Sequence, residues 1–75
     1  MRPEEVVSRV FGVHRADVTD ETSNRTLPAW DSMAHVTLIL ELESSYGVSL
    51  STEDALQMTT VAEIKRVLTG HGVSW

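Results

Sequence analysis

The sequence predicts an all-α protein: a small four-helix bundle with three main helices, a short third helix and a long first loop. Two observations favour this fold. Apolar residues recur at spacings of three and four, which places them on one face of a helix, and cap residues or glycines bound these segments. Because 75 residues suffice for one small core only, we expect residues 1–75 to form a single domain.

The first helix is expected to run from Pro3 to Phe11, because proline suits the first helical turn and apolar residues then repeat at helical spacing. Gly12 ends it. A polar stretch follows up to Trp30, with a possible helical turn around residues 16–18. Structureless loops of this length are uncommon in compact domains. Three apolar residues are therefore expected to hold the loop on the core: Val13, Val18 and Leu27.

The second helix is expected from Ser32 to Tyr46, with the Asp31 carboxylate accepting from the amide three residues on and Gly47 ending the helix. Its apolar residues cover an arc of about 220°. This width indicates a central helix that contacts several others, with Met33 at one edge, free to meet another molecule. The arc comprises Met33, Val36, Leu38, Ile39, Leu40, Leu42 and Tyr46. Glu43 also lies in this arc, and the sequence offers no reason for it.

The last third of the chain predicts two more helices. A short one lies within Ser51 to Met58. The fourth begins with a capping box formed by Thr60 and Glu63 and stops at Gly70. One face of this helix is apolar: Ile64, Val67 and Leu68. Residues 71–75 have no periodicity and are expected to form a flexible tail.

Charge and composition exclude several functions. Eleven acidic and six basic residues give a net charge of -5, which repels phosphate backbones and anionic lipids, so neither nucleic acid nor a membrane is an expected partner. The chain has no cysteine, and its three histidines lack metal-ligand spacing, so we expect no metal site. Without a membrane span or signal peptide in the sequence, a cytoplasmic protein is expected.

The most informative segment is Trp30-Asp31-Ser32-Met33, which places a serine hydroxyl at the first helical position. Unpaired amides and the helix dipole favour a negative charge there by about 0.3–1 kcal/mol. A phosphoserine or a phosphodiester on Ser32 would therefore be well placed. Capping chemistry alone also accounts for a serine at a helix start, so its position leaves both interpretations open.

The same segment also suggests a hydrolase, with Ser32 as nucleophile, His35 as base and Asp31 as the orienting acid. Asp31 is instead expected to cap the helix, and the chain has neither a glycine-rich oxyanion loop nor a G-x-S-x-G elbow. Trp30 and His35 flank the cap, where a hydrophobic staple forms. His35 is therefore interpreted as a packing partner rather than a base.

Two segments resemble the acyl carrier proteins: L-P-A-W-D-S-M at 27–33 and L-E-S-S-Y-G-V at 42–48. The long loop before them, the short third helix and T-T-V-A-E-I at 59–64 follow in the family's order. The resemblance implies that Ser32 accepts 4'-phosphopantetheine from coenzyme A through a phosphodiester, donated by a phosphopantetheinyl transferase. An acyl or aminoacyl group would then be a thioester on the arm's terminal thiol, and the protein would carry it without catalysing a reaction.

The resemblance also implies how partners meet the carrier. Asp31 corresponds to the acidic residue before the modified serine, and Met33 to the apolar residue that contacts partner enzymes. Further acids either solvate helix faces or steer basic partner surfaces toward Ser32: Glu41, Glu53 and Asp54. Core or arm-facing positions of the family correspond to Val36, Leu40 and Leu42. The expected partners of a monomeric carrier are an acyl- or aminoacyl-loading ligase and an acyltransferase or ketosynthase.

The chain departs from fatty-acid carriers, which usually bear further acids early in the second helix, where this chain has Ala34, His35 and Thr37. This favours a discrete carrier in polyketide, nonribosomal peptide or related natural-product assembly. A D-alanyl carrier is an alternative, although Trp30 and the stretch 58–60 fit it less well, and peptidyl carriers have a Gly-Gly-x-Ser form. A helical interaction module without a prosthetic group is a different class, and it would work with an unmodified Ser32.

Overall fold

The computed structural model describes residues 1–75 and contains four α-helices and one short 3₁₀ helix. The α-helices are α1 (Pro3–Phe11), α2 (Ser32–Tyr46), α3 (Thr52–Gln57) and α4 (Val61–Gly70), and the 3₁₀ helix is Arg15–Asp17. The predicted all-α bundle with a short third helix is confirmed. None of these helices has the length and hydropathy of a membrane span.

The ends of α1 and α2 lie where the sequence predicts them, because local groups fix them. Asp31 Oδ1 accepts a hydrogen bond of 2.9 Å from the Ala34 amide. At the other end of α2, Gly47 adopts a left-handed conformation with φ of 64°, which only glycine takes without cost. Ser51 caps the start of α3, where its hydroxyl accepts from the Asp54 amide at 3.0 Å.

The α4 helix differs from its prediction at both ends. Thr60 Oγ1 accepts from the Glu63 amide at 3.0 Å, but the Glu63 carboxylate accepts from Arg66 Nε at 2.8 Å. Because the Glu63 carboxylate is bonded to the Arg66 guanidinium, it does not accept from the Thr60 amide. The second hydrogen bond of the predicted capping box is therefore absent. Gly70 is the last residue of α4 rather than its stop. The glycine with a positive φ after α4 is instead Gly72, whose φ is 80°.

The core consists of eleven buried apolar residues. Val18 and Trp30 come from the first loop, and Met58 directly follows α3. The others belong to α1, α2 and α4: Val6, Val7, Leu38, Leu42, Val61, Ile64, Val67 and Leu68. Val13 and Leu27 are half-buried against this core. The expectation that apolar residues hold the long loop in place is therefore confirmed.

The apolar arc of α2 is covered only in part. Leu38 and Leu42 are fully buried, whereas Val36 and Leu40 are 59% and 60% exposed and are not core residues. The α2 helix lies chiefly against α1. The six residues of α3 span only about 9 Å, too short to cover a 15-residue helix.

Polar contacts join the connecting segments to the helices. Glu43, unexplained by the sequence, accepts the Leu50 amide at 2.9 Å and so closes the turn after α2. The first loop pairs with the start of α4, where the Val61 amide donates to the Thr22 carbonyl at 3.0 Å. At the C-terminus, Val73 is half-buried and its amide donates to Leu68 at 3.0 Å. Flexibility of residues 71–75 stays a prediction.

Candidate functional site

Ser32 is the first residue of α2 and is exposed. The long first loop ends at Trp30, which is buried, and Asp31 then caps the helix. Because the buried Trp30 and the capping Asp31 come directly before it, Ser32 lies outside the packed core. Its hydroxyl makes no hydrogen bond to the rest of the protein. The hydroxyl is therefore free to be modified.

The start of α2 has two backbone amides without a hydrogen-bond partner in the protein. The Ser32 and Met33 amides donate to no group in the protein, while the Ala34 amide is capped by Asp31. Free amides and the dipole of a 15-residue helix both favour an anion at this end. A phosphate group on Ser32 would meet these amides.

A groove of about 500 Å³ opens beside Ser32. It lies between the start of α2, the α3 helix and the loops before α2 and α4. Besides Ser32, three of its lining residues have polar uncharged side chains: Asn24, Thr52 and Thr59. Three others are apolar: Trp30, Ala55 and Leu56. Its size is within the range of about 300–1,000 Å³ found for small-molecule sites.

His35 forms one wall of this groove and uses both of its ring nitrogens. The Trp30 indole N–H donates to His35 Nδ1 at 2.9 Å, and His35 Nε2 lies 2.8 Å from the Ala55 carbonyl oxygen. An indole nitrogen only donates, so Nδ1 must be unprotonated. The proton is then on Nε2, which donates to Ala55, and the ring is neutral.

The predicted staple contact between Trp30 and His35 is present, and a hydrogen bond also joins the two side chains. The two rings stack with centroids 6.1 Å apart, and Phe11 stacks on Trp30 at 5.2 Å. Leaving the buried indole N–H without its acceptor would cost about 1–3 kcal/mol. With both nitrogens engaged and Asp31 occupied by the cap, His35 acts as a brace between α2 and α3.

The acidic residues predicted to steer partners do not gather at Ser32. Only Asp31 lines the groove. Glu41 pairs with Arg9 at 3.5 Å, whereas Glu53 is exposed and forms no ion pair. Asp54 Oδ2 accepts from the Ser51 amide at 3.1 Å and lies 2.8 Å from His71 Nε2. The bond from Ser51, followed by that from His71, lowers the pKa of Asp54.

Three exposed apolar residues of α2 form a surface that we call the α2 stripe: Met33, Val36 and Leu40. Their exposed fractions are 83%, 59% and 60%. Spacings of three and four put them on one side of the helix, and no acidic or basic residue other than His35 lies between Ser32 and Leu40. The surface next to Ser32 is therefore mainly apolar.

No protein-family model matches the chain. It is 35% identical over 68 residues to an acyl carrier protein of Rubrobacter xylanophilus, an alignment that covers 91% of this chain and 84% of the relative. The chain belongs to the acyl carrier protein family. Its helical bundle agrees with the resemblance carried by residues 27–33 and 42–48.

The carrier contains one functional candidate that sequence reasoning missed. The local signal at Trp30 and His35 predicted packing, but the imidazole also reaches Ala55, 20 positions further along the chain. Only the fold brings α3 to that place. An indole donor and an imidazole acceptor five positions apart are the one signal that could have suggested the hydrogen bond.

Proposed function

We propose that this acyl carrier protein bears its cargo on a 4'-phosphopantetheine arm attached to Ser32 through a phosphodiester. The observation that carries the proposal is the free, exposed Ser32 hydroxyl at the start of α2, beside two unpaired amides and a groove. When bound, the arm supplies the terminal thiol on which the cargo is held as a thioester. The chain itself has no cysteine for this purpose.

The residues around Ser32 fit such a group. The Ser32 and Met33 amides would face the phosphate, where the helix dipole favours its charge. Asn24, Thr52 and Thr59 offer an amide and two hydroxyls to the amide groups of the arm. Asp31 holds the start of the helix in place by capping Ala34.

The carrier itself is proposed to be non-catalytic and cytoplasmic and to act with partner enzymes. A phosphopantetheinyl transferase would attach the arm, an acyl- or aminoacyl-loading ligase would supply the cargo, and an acyltransferase or ketosynthase would remove it. Contacts with these enzymes would be small and transient, because a carrier has to leave one enzyme before it visits the next. Met33 and Asp31 lie at the end of the molecule that such partners must approach.

The pathway is proposed to be polyketide or other natural-product assembly. The support is the apolar character of the first half of α2, where Ala34, His35 and Thr37 stand in place of the further acids of fatty-acid carriers. The α2 stripe adds to this difference, since its three apolar side chains are exposed. A surface of this kind would select different partner enzymes from an acidic one.

The attachment site is tested by intact-mass measurement after incubation with coenzyme A and a broad-specificity phosphopantetheinyl transferase. The wild type should gain one phosphopantetheinyl group and Ser32→Ala none. Ser44→Ala is the matched control, since Ser44 is also an exposed serine of α2, and it should be modified normally. The free energy of unfolding should change by less than about 0.5 kcal/mol in Ser32→Ala.

Two results would contradict this assignment. A mass gain on folded Ser32→Ala would place the arm on another residue. A folded wild type that gains nothing, with a transferase active on another carrier, would favour a helical interaction module without a prosthetic group.

A further inference from the structure

A group attached to Ser32 has two directions in which to extend. It can lie along the outer groove, or it can pass inward between α2 and α3 toward the core. His35 is one turn of helix from Ser32, and its ring reaches across to the Ala55 carbonyl at 2.8 Å. This is the only hydrogen bond that joins α2 to α3. The imidazole therefore lies across the space between α2 and α3 next to Ser32.

The imidazole is held firmly in that position. Trp30, which donates to Nδ1 at 2.9 Å, is only 3% exposed. Displacing the ring would leave the buried indole N–H without its acceptor, a loss that a folded protein avoids. The stack of His35 on Trp30, and of Trp30 on Phe11, further opposes rotation of the ring.

The two spaces on either side of His35 differ in character. Inward, Leu38, Met58 and Ile64 are fully buried and already packed, so an entering chain would have to displace them. Outward, the groove is lined by polar side chains and by the apolar residues Trp30, Ala55 and Leu56, of which Leu56 is 73% exposed. The groove can therefore hold an arm and a short cargo without any displacement of core side chains.

We propose that His35 determines the cargo class of this carrier by closing the bundle, so that the arm and its acyl group stay in the outer groove. The carrier would then serve short or polar acyl groups and would not bury a long alkyl chain in its core. This inference rests on the proposed function, because it requires an arm on Ser32.

The test uses protein loaded from coenzyme A, acetyl-coenzyme A or octanoyl-coenzyme A, with intact mass confirming each species before methyl NMR spectra are recorded. In the wild type, the Leu56 methyl signals should shift when the arm is attached. The methyl signals of Leu38 and Ile64 should be the same for all three species. An octanoyl-dependent shift of those core methyls in the wild type would overturn the proposal.

Variants of His35 test whether this residue is the barrier. In His35→Ala, octanoyl loading should shift the Leu38 and Ile64 methyls. His35→Gln should restore wild-type behaviour, because a glutamine amide can accept from Trp30 and donate to Ala55 as the imidazole does. His14→Ala is the matched control, since His14 is exposed and precedes the 3₁₀ helix, and it should behave as the wild type.

The remaining outcomes are also decisive. Unshifted core methyls in folded, octanoyl-loaded His35→Ala would show that His35 is not the barrier. Should that variant fail to fold, Trp30→Phe removes the indole donor of the pair together with one aromatic ring, and the same core shift, smaller in size, is expected; its absence would overturn the proposal. Failure of the wild type to gain any arm by mass would refute the proposed function itself, a result distinct from an unshifted spectrum of the loaded protein.

Discussion

Glu4 is a charged side chain inside the packed part of the molecule, with 6% of the residue exposed. Its Oε2 lies 2.8 Å from Lys65 Nζ, which also contacts Asp20 Oδ1 at 2.6 Å. Burial raises the pKa of Glu4. The hydrogen bond from Lys65, a backbone hydrogen bond and the charges of Lys65 and Arg2 together outweigh burial and lower this pKa from 4.5 to about 2. The hydrogen bonds of Lys65 to Asp20 and then to Glu4 raise the pKa of Lys65.

This shift predicts a specific loss of stability in acid. A carboxyl whose pKa falls on folding stabilises the fold above its unfolded pKa of 4.5, and the contribution is lost as the pH falls toward about 2. At neutral pH it amounts to about 3 kcal/mol. We expect Glu4→Gln to be less stable than the wild type at pH 7, with the difference shrinking below about pH 4.

Urea denaturation followed by circular dichroism at several pH values measures this difference. Glu21→Gln is the control, because Glu21 is exposed and forms no ion pair, and its stability should follow that of the wild type throughout. A gap between Glu4→Gln and the wild type that stays constant as the pH falls would show that packing, rather than charge, explains the effect.

His35 shows how far local reasoning reaches for a single residue. The staple pattern correctly placed His35 against Trp30, since residues that flank a cap are always close together. It could not reveal the second hydrogen bond. Ala55 is remote in the sequence, and a backbone carbonyl acceptor carries no residue-type signature.

At the scale of the element, Asp31 has two separable roles at the start of α2. Its carboxylate caps the Ala34 amide at 2.9 Å, and its charge lies next to Ser32. We expect Asp31→Ala to lose about 1 kcal/mol of unfolding free energy, whereas Asp31→Asn should keep the cap and most of the stability. Both variants should be loaded about two- to fivefold more slowly if the charge attracts the transferase.

Urea denaturation and initial rates of arm transfer, measured on the same preparations, separate these roles. Loading of Asp31→Asn at the wild-type rate would show that the charge takes no part in recognition. Equal free energies of unfolding for Asp31→Ala and the wild type would show that Asp31 does not stabilise the fold as a helix cap.

The α2 stripe predicts that partner contacts depend more on apolar area than on acidic charge. Burying a methionine side chain is worth about 1.5–3 kcal/mol, so Met33→Gln should slow arm transfer about tenfold. Glu41→Gln is the matched control on the same helix, and it should have a smaller effect because Glu41 is already paired with Arg9. The rates of arm transfer to Met33→Gln and to Glu41→Gln, measured at low and at high salt, test this expectation.

The opposite ranking of these two variants would contradict this expectation. So would a steep fall in the transfer rate with salt while Met33→Gln behaves as the wild type, because exposed charges, and not apolar contacts, are screened by salt.

At the scale of the whole molecule, a compact monomer is expected. The Cα radius of gyration of 11.0 Å agrees with the value of about 11 Å for a compact chain of this length. A net charge of -5 makes copies repel one another. Sedimentation equilibrium should therefore give a mass of 8.3 kDa from micromolar to millimolar concentration, and a mass rising toward that of a dimer would contradict this expectation.

Sequence patterns alone predict the fold class, the limits of α1 and α2, and the placement of Ser32 directly after a helix cap. These features depend on neighbours within a few residues, such as the Asp31 cap and the left-handed Gly47, so local chemistry suffices to predict them. The end of α4 escaped prediction because both Gly70 and Gly72 were able to end it.

Helix packing, in contrast, sets which part of the apolar arc of α2 is covered and what encloses the groove at Ser32. Periodicity shows that Val36 and Leu40 are apolar, but their exposure follows from the shortness of α3 and from the way α2 lies against α1. The bridge from His35 to Ala55 likewise joins two helices whose proximity no local pattern encodes. Both depend on how the helices pack, which is a property of the folded chain as a whole.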